Sequence, residues 1–114
     1  MRTNQIERRR SERLLLNVAV VVCVKYVDNS SFREHTTTIS VSAHGALLPL
    51  ATTVRLGQTL VVINLRNWDE RLGRVVRLGS ADPEQVQIGI EFEQPAPEFW
   101  PVEPLPDGWA SIRA

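Results

Sequence analysis

The feature that most constrains this chain is a run of apolar, β-branched residues that follows directly on a cluster of arginines. Residues 17–24, NVAVVVCV, hold valine at five of eight positions. β-Branched side chains are stiff at χ1 and pack well on a pleated surface, so the run predicts a buried strand. We extend this strand over residues 14–26 and expect it in the centre of a sheet.

Arginines followed by apolar residues also occur in secretory signals, which is the main alternative for this segment. Three features argue against export. The run contains Asn17 near its start, it meets Lys25 and Tyr26 without an A-x-A cleavage site, and Val22 replaces the small residue that a lipoprotein-type cleavage requires before Cys23. The run is also shorter than the roughly 20 apolar residues that span a bilayer. We therefore expect a cytoplasmic protein that does not contact a membrane.

The patterns that follow the first strand predict further strands. Residues 32–48 combine a triple threonine with Ile-Ser-Val alternation, interrupted near Gly45. Residues 58–66, QTLVVINLR, contain an apolar run, residues 71–79 mix arginine with apolar residues, and residues 86–92 alternate with a period of two. Short strands at regular spacing indicate an all-β barrel or sandwich.

The C-terminal segment has a different composition. Five of the seven prolines lie in residues 94–109, QPAPEFWPVEPLPDGW, which excludes a long helix and a central strand. We predict an extended strap whose aromatic residues Phe99, Trp100 and Trp109 pack back on the barrel; a partner-binding patch is the alternative. The chain then divides into an arm (1–13), a barrel (14–93) and a strap (94–114).

The charge is balanced, with 13 basic and 13 acidic residues, but unevenly distributed. Residues 1–13 hold five arginines against two glutamates, whereas residues 80–114 hold seven acidic residues and one arginine. This asymmetry predicts a local anion site at the N-terminus and argues against nucleic-acid binding over the whole surface. No catalytic motif occurs, and His35 and His44 are too sparse for a metal site, so we expect neither an enzyme nor a metalloprotein.

Two short elements are suited to binding an anion. Arg9 and Arg13 are four residues apart, which on a helical turn places both guanidiniums on one side. Guanidinium donors match phosphate oxygens and the O6/N7 edge of guanine. The second element is SVSAHG, residues 40–45, in which Ser42 offers a hydroxyl and Gly45 a permissive backbone for a sharp turn. Each element alone is a weak signal.

Together and in this order, the two elements resemble those of the PilZ domain family, receptors for the bacterial second messenger cyclic di-GMP. The family pattern is R-x-x-x-R in an N-terminal arm, then [D/N]-x-S-x-x-G after the first strands; here RRSER and SVSAHG stand in these places. The segments ISVSAHGALL, GRVVRLG and IGIEF also look like family strands, so the resemblance covers residues 8–93. It implies a six-stranded antiparallel β-barrel.

The resemblance also implies roles for individual residues. Arg9 and Arg13 would bind phosphate and guanine, Ser42 would hydrogen-bond the base, and Gly45 would shape the turn. Ser40 stands where the family has Asp or Asn, and the loss of one charge-assisted hydrogen bond costs about 1.5–3 kcal/mol, roughly ten- to a hundredfold in affinity. In this family a basic residue at the position of Arg8 accompanies binding of an intercalated ligand pair; a solvated charge is the alternative.

The leading hypothesis is a non-catalytic cyclic di-GMP receptor that needs no other cofactor. Its arm would close on the ligand and signal to an unidentified effector protein. The alternative is a degenerate PilZ module that binds no nucleotide and acts through protein–protein interaction, which Ser40 supports. In either case the proline-rich strap replaces the helix with which family members end.

Overall fold

The computed structural model describes residues 12–81, 84–106 and 108–109, without the side chains of residues 80 and 81. These residues form eight strands and no helix: β1 (Leu14–Leu15), β2 (Ala19–Lys25), β3 (Ser31–Thr37), β4 (Ser40–Ser42), β5 (Gly45–Leu50), β6 (Thr59–Asn64), β7 (Glu70–Ala81) and β8 (Val86–Phe92). All pairs are antiparallel, in the order β1-β4-β5-β8-β7-β6-β2-β3. The all-β class is confirmed, and no described segment is a helix able to span a membrane.

The structure has eight strands instead of six because the first two predicted strands are each broken once. Residues 16–18 separate β1 from β2, and residues 38–39 separate β3 from β4. Leu14 pairs with Val41 below the break and Ala19 with Thr37 above it, so the register shifts by only one residue. A single long hairpin therefore runs through the break, with one extra residue on its first strand, as in a β-bulge.

Thr38 holds the broken hairpin together from a fully buried position. Its hydroxyl accepts a hydrogen bond from the Val18 amide at 2.8 Å and donates to the Leu16 carbonyl at 2.7 Å. The Thr38 amide donates to the Val18 carbonyl, and the Asn17 side chain donates to the Thr38 carbonyl. Backbone groups that the ladder loses at the break are thus satisfied inside the protein, as burial requires.

The break lets the two halves of the hairpin lie at opposite ends of the strand order. The pair β1-β4 begins that order and the pair β2-β3 ends it, so the sheet curls into a barrel-like shape. Side chains of β3 also reach the end of β5: Thr36 donates to the Pro49 carbonyl at 2.7 Å, and Glu34 accepts from the Ala51 and Thr52 amides.

The core consists of the inward faces of these strands and is closed by the strap. Phe99, Trp100 and Trp109 are 1%, 2% and 0% exposed, which confirms that the aromatic residues pack back on the barrel. The Phe99 ring lies 4.7 Å from Trp100 and 5.3 Å from Phe92, both edge to face. The buried Asn64 side chain donates to the Phe99 carbonyl at 2.7 Å and so fixes the strap backbone.

We expect Thr38→Val to lower the free energy of unfolding by about 2 kcal/mol or more. Valine keeps the shape but leaves the Val18 amide and the Leu16 carbonyl without their partner, and each unsatisfied buried group costs about 1–3 kcal/mol. Urea denaturation measures the change. Thr37→Val is the matched control, because the neighbouring Thr37 is exposed; equal effects of the two substitutions would contradict the role given to Thr38.

Candidate functional site

An open cavity of about 210 Å³ lies on the outer face of β4, β5, β8 and β7, beside the start of β1. Its lining includes five residues on which the sequence analysis drew, Arg13, Ser40, Ser42, His44 and Gly45. The structure therefore brings Arg13, the second arginine of the R-x-x-x-R motif, and the Ser-Gly turn together. Arg8 and Arg9 lie outside the described residues.

The broken hairpin explains why Arg13 meets the turn. Leu14 pairs with Val41, so one further step in the same register places Arg13 opposite Ser42. The two residues are 29 positions apart in the sequence and become neighbours only because β1 pairs with β4. The Arg13 side chain is exposed and makes no hydrogen bond or ion pair with another described residue, which leaves its guanidinium available to a ligand.

The turn between β4 and β5 is held on both sides. The Ser42 hydroxyl accepts a hydrogen bond from the His44 amide at 3.2 Å, within the turn itself. The Ser42 carbonyl accepts from the Trp100 indole at 2.8 Å, and the Ala43 carbonyl accepts from the Ala96 amide at 2.7 Å. With the strap behind it, the turn presents its hydroxyl to the cavity in a set position.

Gly45 is required for a different reason from the one predicted. The positive-φ glycines of the described chain are Gly57 and Gly108, so Gly45 does not serve a left-handed turn. Instead, β5 approaches β8 so closely that a Cβ at Gly45 would overlap the carbonyl oxygen of Ile90. The missing side chain sets the spacing of two strands that form the cavity floor.

Ser40 lies at the buried edge of the cavity. It is 9% exposed and pairs with Leu15 on one side and Leu47 on the other. Its hydroxyl has no hydrogen-bond partner among the residues that the structure describes, so its donor and its acceptors are free for a ligand group. The position thus faces the cavity, and the serine supplies a shorter, uncharged group where a carboxylate or amide would reach further.

Arg77, on β7, also lines the cavity and was not identified from the sequence. The β7–β8 register shifts between Val75 and Arg77, and this irregularity turns both Val76 and Arg77 outward. A Cβ at Gly89 would lie 3.0 Å from the Arg77 Cβ and 3.8 Å from its Cγ and Cδ, so the arginine stem runs across the bare glycine. The consecutive valines Val75 and Val76 could have indicated this irregularity, because two adjacent apolar residues interrupt a strand alternation with a period of two.

Arg77 differs from the other arginines of β7 in its partners. Arg71 pairs with Asp69 at 2.8 Å and lies over the Phe99 ring, and Arg74 pairs with Glu91 at 3.4 Å. Arg77 forms no ion pair with any described residue. Arg13 and Arg77 therefore make this cavity suited to an anion. The one carboxylate of its lining, Glu91, forms an ion pair with Arg74.

The histidines and acidic residues that the structure describes do not form a cluster that could hold a metal ion. Within residues 12–81, 84–106 and 108–109, no three His, Cys, Asp or Glu side chains converge on a point that could hold a metal ion. His44 contributes to the lining, whereas His35 lies on β3 and is exposed. The polar part of the lining consists of the guanidiniums of Arg13 and Arg77, the hydroxyls of Ser40 and Ser42, His44 and Glu91.

Two solved structures have a similar fold. The inhibitor of motility MotI (DgrA) of Bacillus subtilis superposes with a TM-score of 0.59 at 20% identity, covering 78% of this chain. This chain spans 44% of that structure. The PilZ domain of YcgR from Escherichia coli, solved with c-di-GMP, superposes with a TM-score of 0.54 at 18% identity, covering 75% of this chain and 78% of that one. A comparison with curated proteins returns no match.

The family assignment rests on the sequence match as well as on the fold. The profile of the PilZ domain matches residues 7–98, which include Arg9 and Arg13 of the arm, the Ser-Gly turn and the first part of the strap. The match therefore contains every strand of the curled sheet and the whole lining of the cavity. This chain belongs to the PilZ domain family.

Proposed function

We propose that this protein is a non-catalytic receptor for cyclic di-GMP. The observation that carries the proposal is the juxtaposition of Arg13 with the Ser42–Gly45 turn across one cavity, in a chain of the PilZ family. The PilZ domain of Escherichia coli YcgR, which shares the fold, was solved with c-di-GMP. A cyclic dinucleotide carries two phosphates and two guanines, and guanidinium groups bind both phosphate oxygens and the guanine O6/N7 edge.

Each residue of the site has a role in this proposal. Arg13 binds phosphate or guanine together with Arg9. The role of Arg9 is inferred from the sequence motif alone. Ser42 hydrogen-bonds the base, and Ser40 offers its unpartnered hydroxyl at the buried edge. Gly45 sets the spacing of β5 and β8 beneath the ligand.

Two further guanidiniums extend the site. Arg77 supplies a second cation on the side of the cavity formed by β7. Arg8, on the sequence pattern alone, would favour an intercalated pair of ligand molecules over a single one. No metal or other cofactor takes part in this binding.

The proposal includes a conformational step. Residues 1–13 carry five arginines against two glutamates. Repulsion among the arginines disfavours a closed arm until a bound anion neutralises their charge. A bound dinucleotide would supply that neutralisation and order the arm against the barrel. We propose that an effector protein in the cytoplasm recognises the closed arm, and that neither nucleic acid nor a membrane is involved.

The serine at position 40 supports an alternative function, that of a degenerate PilZ module. The family motif places a carboxylate or amide here, and this chain has a hydroxyl at a position that faces the cavity. A degenerate module would keep the barrel for protein–protein contact and bind no nucleotide. Calorimetric titration with cyclic di-GMP, with GTP as the control ligand, distinguishes the two functions.

We expect Arg13→Ala and Arg77→Ala each to weaken cyclic di-GMP binding by about tenfold or more, the effect of losing one charge-assisted hydrogen bond. Neither substitution should change the melting temperature appreciably, because Arg13 and Arg77 are exposed and contribute little to the core. Isothermal titration and thermal denaturation measure the two quantities.

Arg33→Ala is the matched control for this pair, because Arg33 is an exposed strand arginine of β3 outside the cavity lining. Its loss should leave the affinity unchanged. If all three variants bind like the wild type, the cavity is not the ligand site.

We expect Ser40→Asn to raise the affinity for cyclic di-GMP by about tenfold, because the amide reaches further than the hydroxyl and can pair with a guanine edge. Ser40→Asp adds a stronger acceptor, but its charge would also attract Arg13 in the free protein and so blunt the gain. Titration of the wild type and both variants side by side measures the effect.

The same series decides between receptor and degenerate module. Binding that strengthens with either substitution supports a guanine contact at position 40. Failure of all three proteins to bind at high micromolar ligand would rule out the receptor and leave the interaction module.

A further inference from the structure

The strap contacts both halves of the candidate site through the same chemical group. The Trp109 indole Nε1 donates a hydrogen bond to the Glu12 carbonyl at 2.8 Å. The Trp100 indole Nε1 donates to the Ser42 carbonyl, also at 2.8 Å. Glu12 directly precedes Arg13, and Ser42 is the serine of the turn, so one segment of the chain holds the backbone on each side of the cavity.

The two indoles are rigidly placed. Trp109 is 0% exposed and Trp100 is 2% exposed. Trp100 stacks on Phe92 at 5.9 Å and meets Phe99 edge to face at 4.7 Å. Because the rings cannot rotate away without opening the core, each N–H donor is held in one direction, and the carbonyl that it binds is held with it.

Burial of apolar area does not by itself explain these contacts. A phenylalanine would also fill the barrel end, but only an indole adds an N–H donor, and a buried donor must find a partner. Trp109 finds its partner 97 residues away, at the last residue before Arg13. Trp100 finds its partner 58 residues away, at the turn that carries the site hydroxyl.

We propose that Trp100 and Trp109 are positioning residues for the binding site: the β1–β4 pairing brings Arg13 opposite the Ser42 turn, and the strap fixes the backbone at Glu12 and at Ser42. This inference rests on the proposed function, since it concerns the same ligand. Trp109 fixes the backbone at Glu12, directly before Arg13. Trp100 fixes the backbone of the turn at Ser42.

The test compares Trp109→Phe and Trp100→Phe with Trp68→Phe. The third tryptophan is the matched control because Trp68 is 68% exposed in the turn between β6 and β7. Cyclic di-GMP titration should show an affinity about three- to tenfold weaker for the first two variants, as expected for one hydrogen bond, and an unchanged affinity for Trp68→Phe.

A double-mutant cycle separates positioning from general destabilisation. If Trp109 acts through Arg13, Trp109→Phe should weaken binding in the wild type but have little further effect in the Arg13→Ala background. An equal loss in both backgrounds would overturn the proposal, because a merely structural effect does not depend on Arg13. If Trp109→Phe does not fold, benzothienylalanine at position 109, which keeps the bicyclic shape without the N–H, takes its place in the cycle.

A ligand-free measurement keeps the inference distinct from the proposed function. Trypsin cleaves after arginine, and the rate of cleavage after Arg13, followed by mass spectrometry, reports how firmly the base of the arm is held. We expect cleavage several times faster in Trp109→Phe than in Trp68→Phe under conditions where both remain folded. Equal rates would refute the anchoring of the arm even if cyclic di-GMP binds, whereas faster cleavage in a protein that binds no cyclic di-GMP would refute only the receptor function.

Discussion

The rest of this structure depends on the break in its first hairpin and on the buried hydroxyl of Thr38 that spans it. Without the break, residues 14–26 would form one continuous strand, and the hairpin would occupy one place in the strand order. The break instead sends one half to each end of the strand order, which curls the sheet. It also pairs β1 with β4, and that pairing alone carries Arg13 to the Ser-Gly turn. The same break therefore both curls the sheet and brings Arg13 to the turn.

The strap supplies the part of the core that the strands do not. Strands alone leave one end of a small barrel open, and Phe99, Trp100 and Trp109 cover it with large buried rings. Proline prevents this segment from pairing as a central strand, so its polar contacts go to single backbone carbonyls and to Asn64 rather than to a ladder. One of those carbonyls belongs to Ser42, which lines the cavity, and another to Glu12, which directly precedes the lining residue Arg13. The strap, which shields the core from water, thus also fixes backbone positions beside the cavity.

Sequence reasoning succeeded where a pattern has one physical meaning. Residues 86–92 alternate without exception, and β8 has these bounds. The prolines of the strap likewise predicted an extended segment, and of the two alternatives for its aromatic residues the structure confirms packing on the barrel. It was less successful where one pattern has two explanations: Gly45 was assigned a turn conformation, whereas the close approach of β8 is what requires it. Arg77 was overlooked because an irregular strand hides which of its residues face outward.

By itself, the sequence determined the all-β class, the extended course of the proline-rich segment, and the presence of arginines and serines of the kind that bind anions, because periodicity, proline content and charge are local properties. Only the tertiary structure decided which of these residues meet. The neighbours of Arg13 depend on a one-residue shift between β1-β4 and β2-β3, and the place of Arg77 depends on an irregularity in β7. The indole contacts to Glu12 and Ser42 cross 97 and 58 residues. Contacts at such separations follow from how strands pair and how rings fill a core, which no local pattern encodes.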